Sequence, residues 1–75
     1  MIEKQKFLEV FTSLFDETDP SEIKMDTEFK ELSEWSSLVT LSVIVTFEEN
    51  FKKSITAKQI DSSKIVSDLY DLVKE

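Results

Sequence analysis

The sequence predicts an all-α fold: a four-helix bundle with a long connection between its first and second helices and a short third helix. Three observations carry that prediction. Apolar residues return at helical spacing in separate stretches near the start, middle and end of the chain. No Asn-Gly or Asp-Gly pair marks a hairpin. The first two periodic stretches are separated by a polar run holding the single proline. Seventy-five residues make one small domain, 1–75, and 40% hydrophobic content with six Phe, one Trp and one Tyr is too apolar for a disordered chain.

From Ile2 to Phe15, the residues Phe7, Leu8, Phe11, Leu14 and Phe15 share one helical face, with Val10 beside them. Glu3, Lys4, Lys6, Glu9, Thr12 and Ser13 form an ordinary solvated side. Pro20 ends this helix, because it disfavours helical geometry at Asp19 and lacks the amide needed to continue the ladder. Asp19-Pro20-Ser21-Glu22 then has the form of a short capped turn. Ile23, Met25, Phe29 and Leu32 follow among acids, spaced as side chains that enter a core one at a time. Long connections of this kind are uncommon and usually functional.

The second helix, Leu38 to Phe51, is the centre of the molecule in this reading. Leu41, Ile44, Val45, Phe47 and Phe51 follow the helical rule, and the β-branched run Val43-Ile44-Val45-Thr46 is helix because a lone strand would find no partner. Ser36 caps this helix and places Ser37 in its first turn. Next, Thr56-Ala57-Lys58-Gln59 is a capping box, stapled by Ile55 and Ile60, that opens a short helix from Ala57 to Asp61. Ser62 or Ser63 caps a last helix carrying Ile65, Val66, Leu69, Tyr70, Leu72 and Val73. The expected core is Phe7, Leu8, Phe11, Leu14, Phe15, Ile23, Phe29, Leu38, Leu41, Ile44, Val45, Phe51, Ile60, Val66, Leu69 and Val73.

Composition narrows the function. Without Cys or His there are no disulfides, no thiolate or imidazole nucleophiles, and none of the usual zinc ligands. Adjacent acids such as Glu48 and Glu49 point in different directions on a helix and cannot share a substrate, so catalysis is not expected. The acids between Asp16 and Glu28 lack the glycine that a calcium loop needs at its sharp turn, and this chain has no glycine. A formal charge of −7 argues against nucleic acid and anionic membrane as ligands and favours partners with basic patches. The start, Met1-Ile2-Glu3-Lys4-Gln5-Lys6, has no apolar signal core and no run approaches a membrane span, so a soluble cytoplasmic monomer is expected.

A helix N-terminus presents unpaired amides and the positive end of the helix dipole, which makes Ser37 a favourable place to carry a phosphate. On local chemistry alone, capping is the commoner role of such a serine.

The order of these features resembles the acyl carrier protein family. Asp26-Thr27-Glu28-Phe29-Lys30-Glu31-Leu32 is similar to that family's approach loop, in which a buried Phe stands eight residues before the modified serine, as Phe29 stands before Ser37. Ser36-Ser37-Leu38 matches the Asp-Ser-Leu signature at two positions of three. Phe47-Glu48-Glu49-Asn50-Phe51 is similar to the acidic end of the family's second helix, and Ile55, Ile60 and Val66-Ser67-Asp68 continue the pattern.

The resemblance implies a four-helix carrier with 4′-phosphopantetheine attached to Ser37 by a phosphopantetheinyl transferase. It implies thioester cargo, a fatty, polyketide or amino acid, exchanged with loading and transferring enzymes, and no catalysis by the carrier itself. Docking would fall to Ser36, Leu38, Val39, Ser42, Val43, Glu48 and Glu49. Ser36 stands where the family has Asp, which removes a carboxylate from the transferase's approach. The early second helix reads Val39, Thr40, Ser42 and Val43 rather than acids, which points to a specialised carrier over a housekeeping fatty-acid one. Val39 and Val43 are either a partly apolar docking surface or packing against the connection or Trp35, and Trp35 is read as a lid packing the loop onto the helix rather than a ligand-stacking platform. The alternative function is an unmodified helical interaction module using the apolar face of the second helix.

Overall fold

Four α-helices, α1 (Lys4–Thr12), α2 (Ser37–Phe51), α3 (Ala57–Ser62) and α4 (Val66–Val73), are joined by one long and two short connections. Two 3-10 turns, Pro20–Glu22 and Phe29–Glu31, lie in the long one, and there is no strand among the described residues. The computed structural model describes residues 2–74; Met1 and Glu75, the outermost positions of the predicted domain, lie outside them.

The helices close around an aromatic core. Phe7 and Phe11 of α1 stand 5.3 and 6.3 Å from Phe47 of α2, Phe7 meets Tyr70 of α4 edge-on at 5.3 Å, and Phe11 meets Phe29 of the long connection at 6.3 Å. Rings at these separations add an edge-to-face or tilted preference to their burial. Ile23 and Phe29 are buried and Met25 and Leu32 pack partly against the core, so the connection does send side chains inward one at a time.

α1 is shorter than the expected Ile2–Phe15. Ser13 Oγ donates to the Val10 carbonyl at 2.6 Å and Thr12 Oγ1 to that of Glu9 at 3.3 Å. The amides of Leu14 and Phe15 bond three residues back, to Phe11 and Thr12. Hydroxyls that compete for the last carbonyls tighten the final turn and end the helix early. Phe15 is nevertheless buried, while Leu8 and Leu14 pack half-buried at the edge of the core.

The predicted orientation of α2 is overturned. Leu38, Leu41 and Val45, expected in the core, are 76%, 59% and 54% exposed. Val43, read as either docking surface or packing, is fully buried and so packs, and Phe47, which the expected core omitted, is buried with it. The reason is geometric. Residues two apart on an α-helix differ by about 200°, so once Val43 faces inward Leu41 and Val45 must face away. The stripe Val43-Phe47-Phe51, four residues apart at each step, carries the two rings with the most area to bury. Ile44 is half-buried between the two faces, and Ile55, Tyr70 and Val10 complete the core.

The capping box Thr56–Gln59 forms as expected, and Ile55 and Ile60 on either side of it are buried. The expected Ser62 or Ser63 cap of α4 does not form: Ser62 lies inside α3, and buried Ser63 donates its hydroxyl to the Gln59 carbonyl at 2.9 Å. At α4, Asp68 accepts from the amides of Lys64 and Ile65 instead. The first two amides of the helix donate to carbonyls of the long connection, Val66 to Thr27 at 2.9 Å and Ser67 to Met25 at 2.7 Å. Those bonds satisfy donors that a helix start leaves open and fasten the connection to α4.

Candidate functional site

The candidate site is the start of α2 and the segment that delivers it. Glu34 is the anchor. Its carboxylate accepts from the amides of Asp16 at 2.8 Å, Glu17 at 3.1 Å and Thr18 at 3.0 Å, and from the Thr18 hydroxyl at 2.8 Å. One side chain near the end of the connection thereby holds the turn at its beginning. The Thr18 hydroxyl above all keeps the Glu34 carboxyl below its ordinary range; desolvation pushes the other way, and the amides of Asp16, Glu17 and Thr18 each add a smaller lowering. Sequence reasoning missed Glu34, because three amides sixteen to eighteen residues away carry no sequence signal.

Trp35 follows, with its ring 4.9 Å from Phe29 and 6.4 Å from Phe15. It packs within the connection, against the edge of the core. With Glu34 and Trp35 held, the next two residues emerge at the surface. Ser36 is extended, and its Oγ accepts from the Val39 amide at 3.4 Å while its carbonyl takes the Thr40 amide at 3.0 Å and the Thr40 hydroxyl at 3.2 Å. Ser37 is the first residue of α2 and is exposed. Its hydroxyl therefore stands in the first turn, where helix amides lack intrahelical acceptors and the dipole is positive.

A shallow groove of about 290 Å³ runs from Ser37 past Thr40 and Leu41 to Ala57 and Asp61 of α3. Lys30 of the long connection donates its Nζ to the Asp61 carbonyl at 2.7 Å and so ties the connection to α3. A second groove of about 550 Å³ shares Leu41 and is lined by Leu14, Leu38, Ser42, Val45 and Thr46. No acid or base interrupts α2 between Ser37 and Phe47.

The predicted docking residues divide. Ser36, Leu38, Ser42, Glu48 and Glu49 are exposed, Val39 is half-buried and packs against the core, and Val43 is excluded by its burial. Leu41 and Val45, assigned to the interior from the sequence, stand with Leu38 on the outer surface. The signal that could have found them is the two-residue offset from Val43. Among the described residues, no helix is long and apolar enough to cross a membrane, and no three acidic side chains are grouped to hold a metal ion.

Comparison with protein-family models, with curated proteins and with solved structures found no match to this chain. The functional reading accordingly stands on Ser37 and its surroundings.

Proposed function

We propose that this chain is a carrier protein of acyl-carrier type that bears 4′-phosphopantetheine on Ser37 and presents acyl or aminoacyl groups to partner enzymes. The observation that supports it is the exposure of Ser37 at the first position of α2, delivered by a connection fixed at Glu34 and Trp35. The spacing from buried Phe29 to that serine, the capped third helix and the four-helix order agree with the resemblance seen in the sequence.

The residues present suit the group. Ser37 offers an alcohol for a phosphodiester, and the first-turn amides with the positive helix end favour its negative charge. The neighbouring groove past Thr40 and Leu41 gives room for an arm to leave the surface. When attached, the arm supplies the thiol that this cysteine-free chain lacks, and it carries its cargo as a thioester. Ser36 holds the helix start through the Val39 amide and contributes no carboxylate, so base and metal for attachment belong to the transferase. The carrier is read as specialised because the exposed part of early α2 is apolar rather than acidic.

The test is intact-mass spectrometry after incubation with coenzyme A and a set of phosphopantetheinyl transferases. A gain of one phosphopantetheine that is absent from Ser37→Ala is the expected result. No gain with any transferase would sink the carrier reading. It would favour the second one, an unmodified interaction module, whose supporting observation is the outward stripe Leu38-Leu41-Val45.

A further inference from the structure

The start of α2 is weakly held by its own side chains. Ser36 Oγ reaches the Val39 amide only at 3.4 Å, outside the usual range of such bonds, and no acid stands in the first turn to meet the helix dipole. α3 shows the contrast. There the Gln59 amide donates to Thr56 Oγ1 at 3.1 Å and the Gln59 side chain accepts from the Thr56 amide at 2.9 Å, so that start is fixed from within. What fixes Ser37 lies upstream.

Glu34 stands three residues before Ser37, and three residues of backbone separate two Cα atoms by no more than about 11 Å. Its carboxylate is gripped by the amides of Asp16, Glu17 and Thr18 and by the Thr18 hydroxyl. Those residues directly follow Phe15, which is buried in the core. Trp35 repeats the tie through its ring, 6.4 Å from that of Phe15, and its amide donates to the Leu32 carbonyl at 3.0 Å. The path from the core to Ser37 is thus closed by one side chain, and removing that carboxylate frees all four donors together.

We propose that Glu34 is a positioning residue for the modification of Ser37: by closing the long connection on its own beginning, it keeps that serine presented to the attaching enzyme. The inference rests on the carrier reading above. The hydroxyl must meet a base and a metal that the transferase supplies, and such chemistry tolerates little misplacement. With the clamp gone, only a fraction of the molecules presents Ser37, and affinity for the enzyme falls by that fraction. Once a presented molecule is captured the transfer itself is unchanged, so the loss falls on KM and not on kcat.

The test measures transfer of phosphopantetheine from coenzyme A by a transferase that modifies the wild-type chain, with the chain as the varied substrate and every variant held well below its melting temperature. Glu34→Ala is expected to raise KM for the chain about tenfold and to leave kcat within about twofold, as a presented fraction of one in ten requires. Thr18→Val, which removes one donor and keeps the side-chain shape, is expected to raise KM about threefold, and the double variant to be no worse than Glu34→Ala, because the two residues act through one clamp. Tyr70→Phe loses a hydrogen bond to the Ile2 carbonyl away from the site and is expected to leave KM unchanged. Protection of the Val39 and Thr40 amides from hydrogen exchange is expected to fall in Glu34→Ala and not in Tyr70→Phe. An unchanged KM in Glu34→Ala and Thr18→Val, a loss confined to kcat, additive effects in the double variant, an equal rise in Tyr70→Phe, or undiminished amide protection would each overturn the proposal. A wild-type chain that no transferase modifies would instead overturn the carrier reading and take this role with it.

Discussion

The two faces of α2 are both apolar and have opposite fates. Val43, Phe47 and Phe51 enter the aromatic core, while Leu38, Leu41 and Val45 are left to solvent. An apolar residue is therefore not a buried residue until a partner element covers it. Phe7 and Phe11 of α1 supply rings to one face of α2, while the other stays exposed. The inner face holds the molecule together, and the outer face is available for binding.

The largest test of that contrast is Phe47→Ala, expected to destabilise by about 3–5 kcal/mol through lost burial and the cavity left behind. Urea unfolding measures it, and a loss below about 1 kcal/mol would show that Phe47 is not a core member. The contrast sharpens at the end of the helix, where Lys52 adopts a left-handed conformation (φ 58°) that glycine takes without strain. Lys52→Gly is expected to stabilise by about 1 kcal/mol, raising the melting temperature by about 4–8 °C for a domain of this size. A lower melting temperature would refute the left-handed cap.

The acid limb of stability comes next. Glu34 and Asp68 both have carboxyls depressed in the folded state, Glu34 by the Thr18 hydroxyl and then nearby amides, and Asp68 by the amides of Lys64 and Ile65. Their stabilisation is therefore fully present above the ordinary values of 4.5 and 3.8, and it is lost as pH falls through the depressed ones. Glu34→Gln should flatten the decline just below 4.5 when urea midpoints are followed into acid; an unchanged decline would deny the clamp its charge dependence. The smallest effect is expected on the outer face: Leu41→Gln and Val45→Gln should each change stability by less than about 0.5 kcal/mol, as surface changes do. A large loss there would mean that the two faces are not distinct.

Helix order was legible in the sequence because it rests on local rules. Period, proline and the Thr56–Gln59 box place α1, α2 and α3 to within a few residues, and the hydrogen bonds of the box form as their spacing requires. Ser37 was legible for the same reason, since a cap at Ser36 fixes the first turn. The inward face of α2 was not. Its stretch is apolar on both sides, so periodicity finds a helix without finding a direction. The start of α4 was also hidden, because the amides of Val66 and Ser67 bond to the carbonyls of Thr27 and Met25, far earlier in the chain.

By itself the sequence determined which segments are helical, where a serine meets a helix start, and that acids crowd the connection before it. Those features depend on neighbours a few residues apart, and the chain carries them wherever it goes. Only the tertiary structure decided that Val43 and Phe47 are covered, that Leu38, Leu41 and Val45 are not, and that Glu34 ties the connection to its own beginning. Burial and long-range hydrogen bonds depend on which elements pack together, and a helix that is apolar on both sides carries no local information about which side its partners will cover.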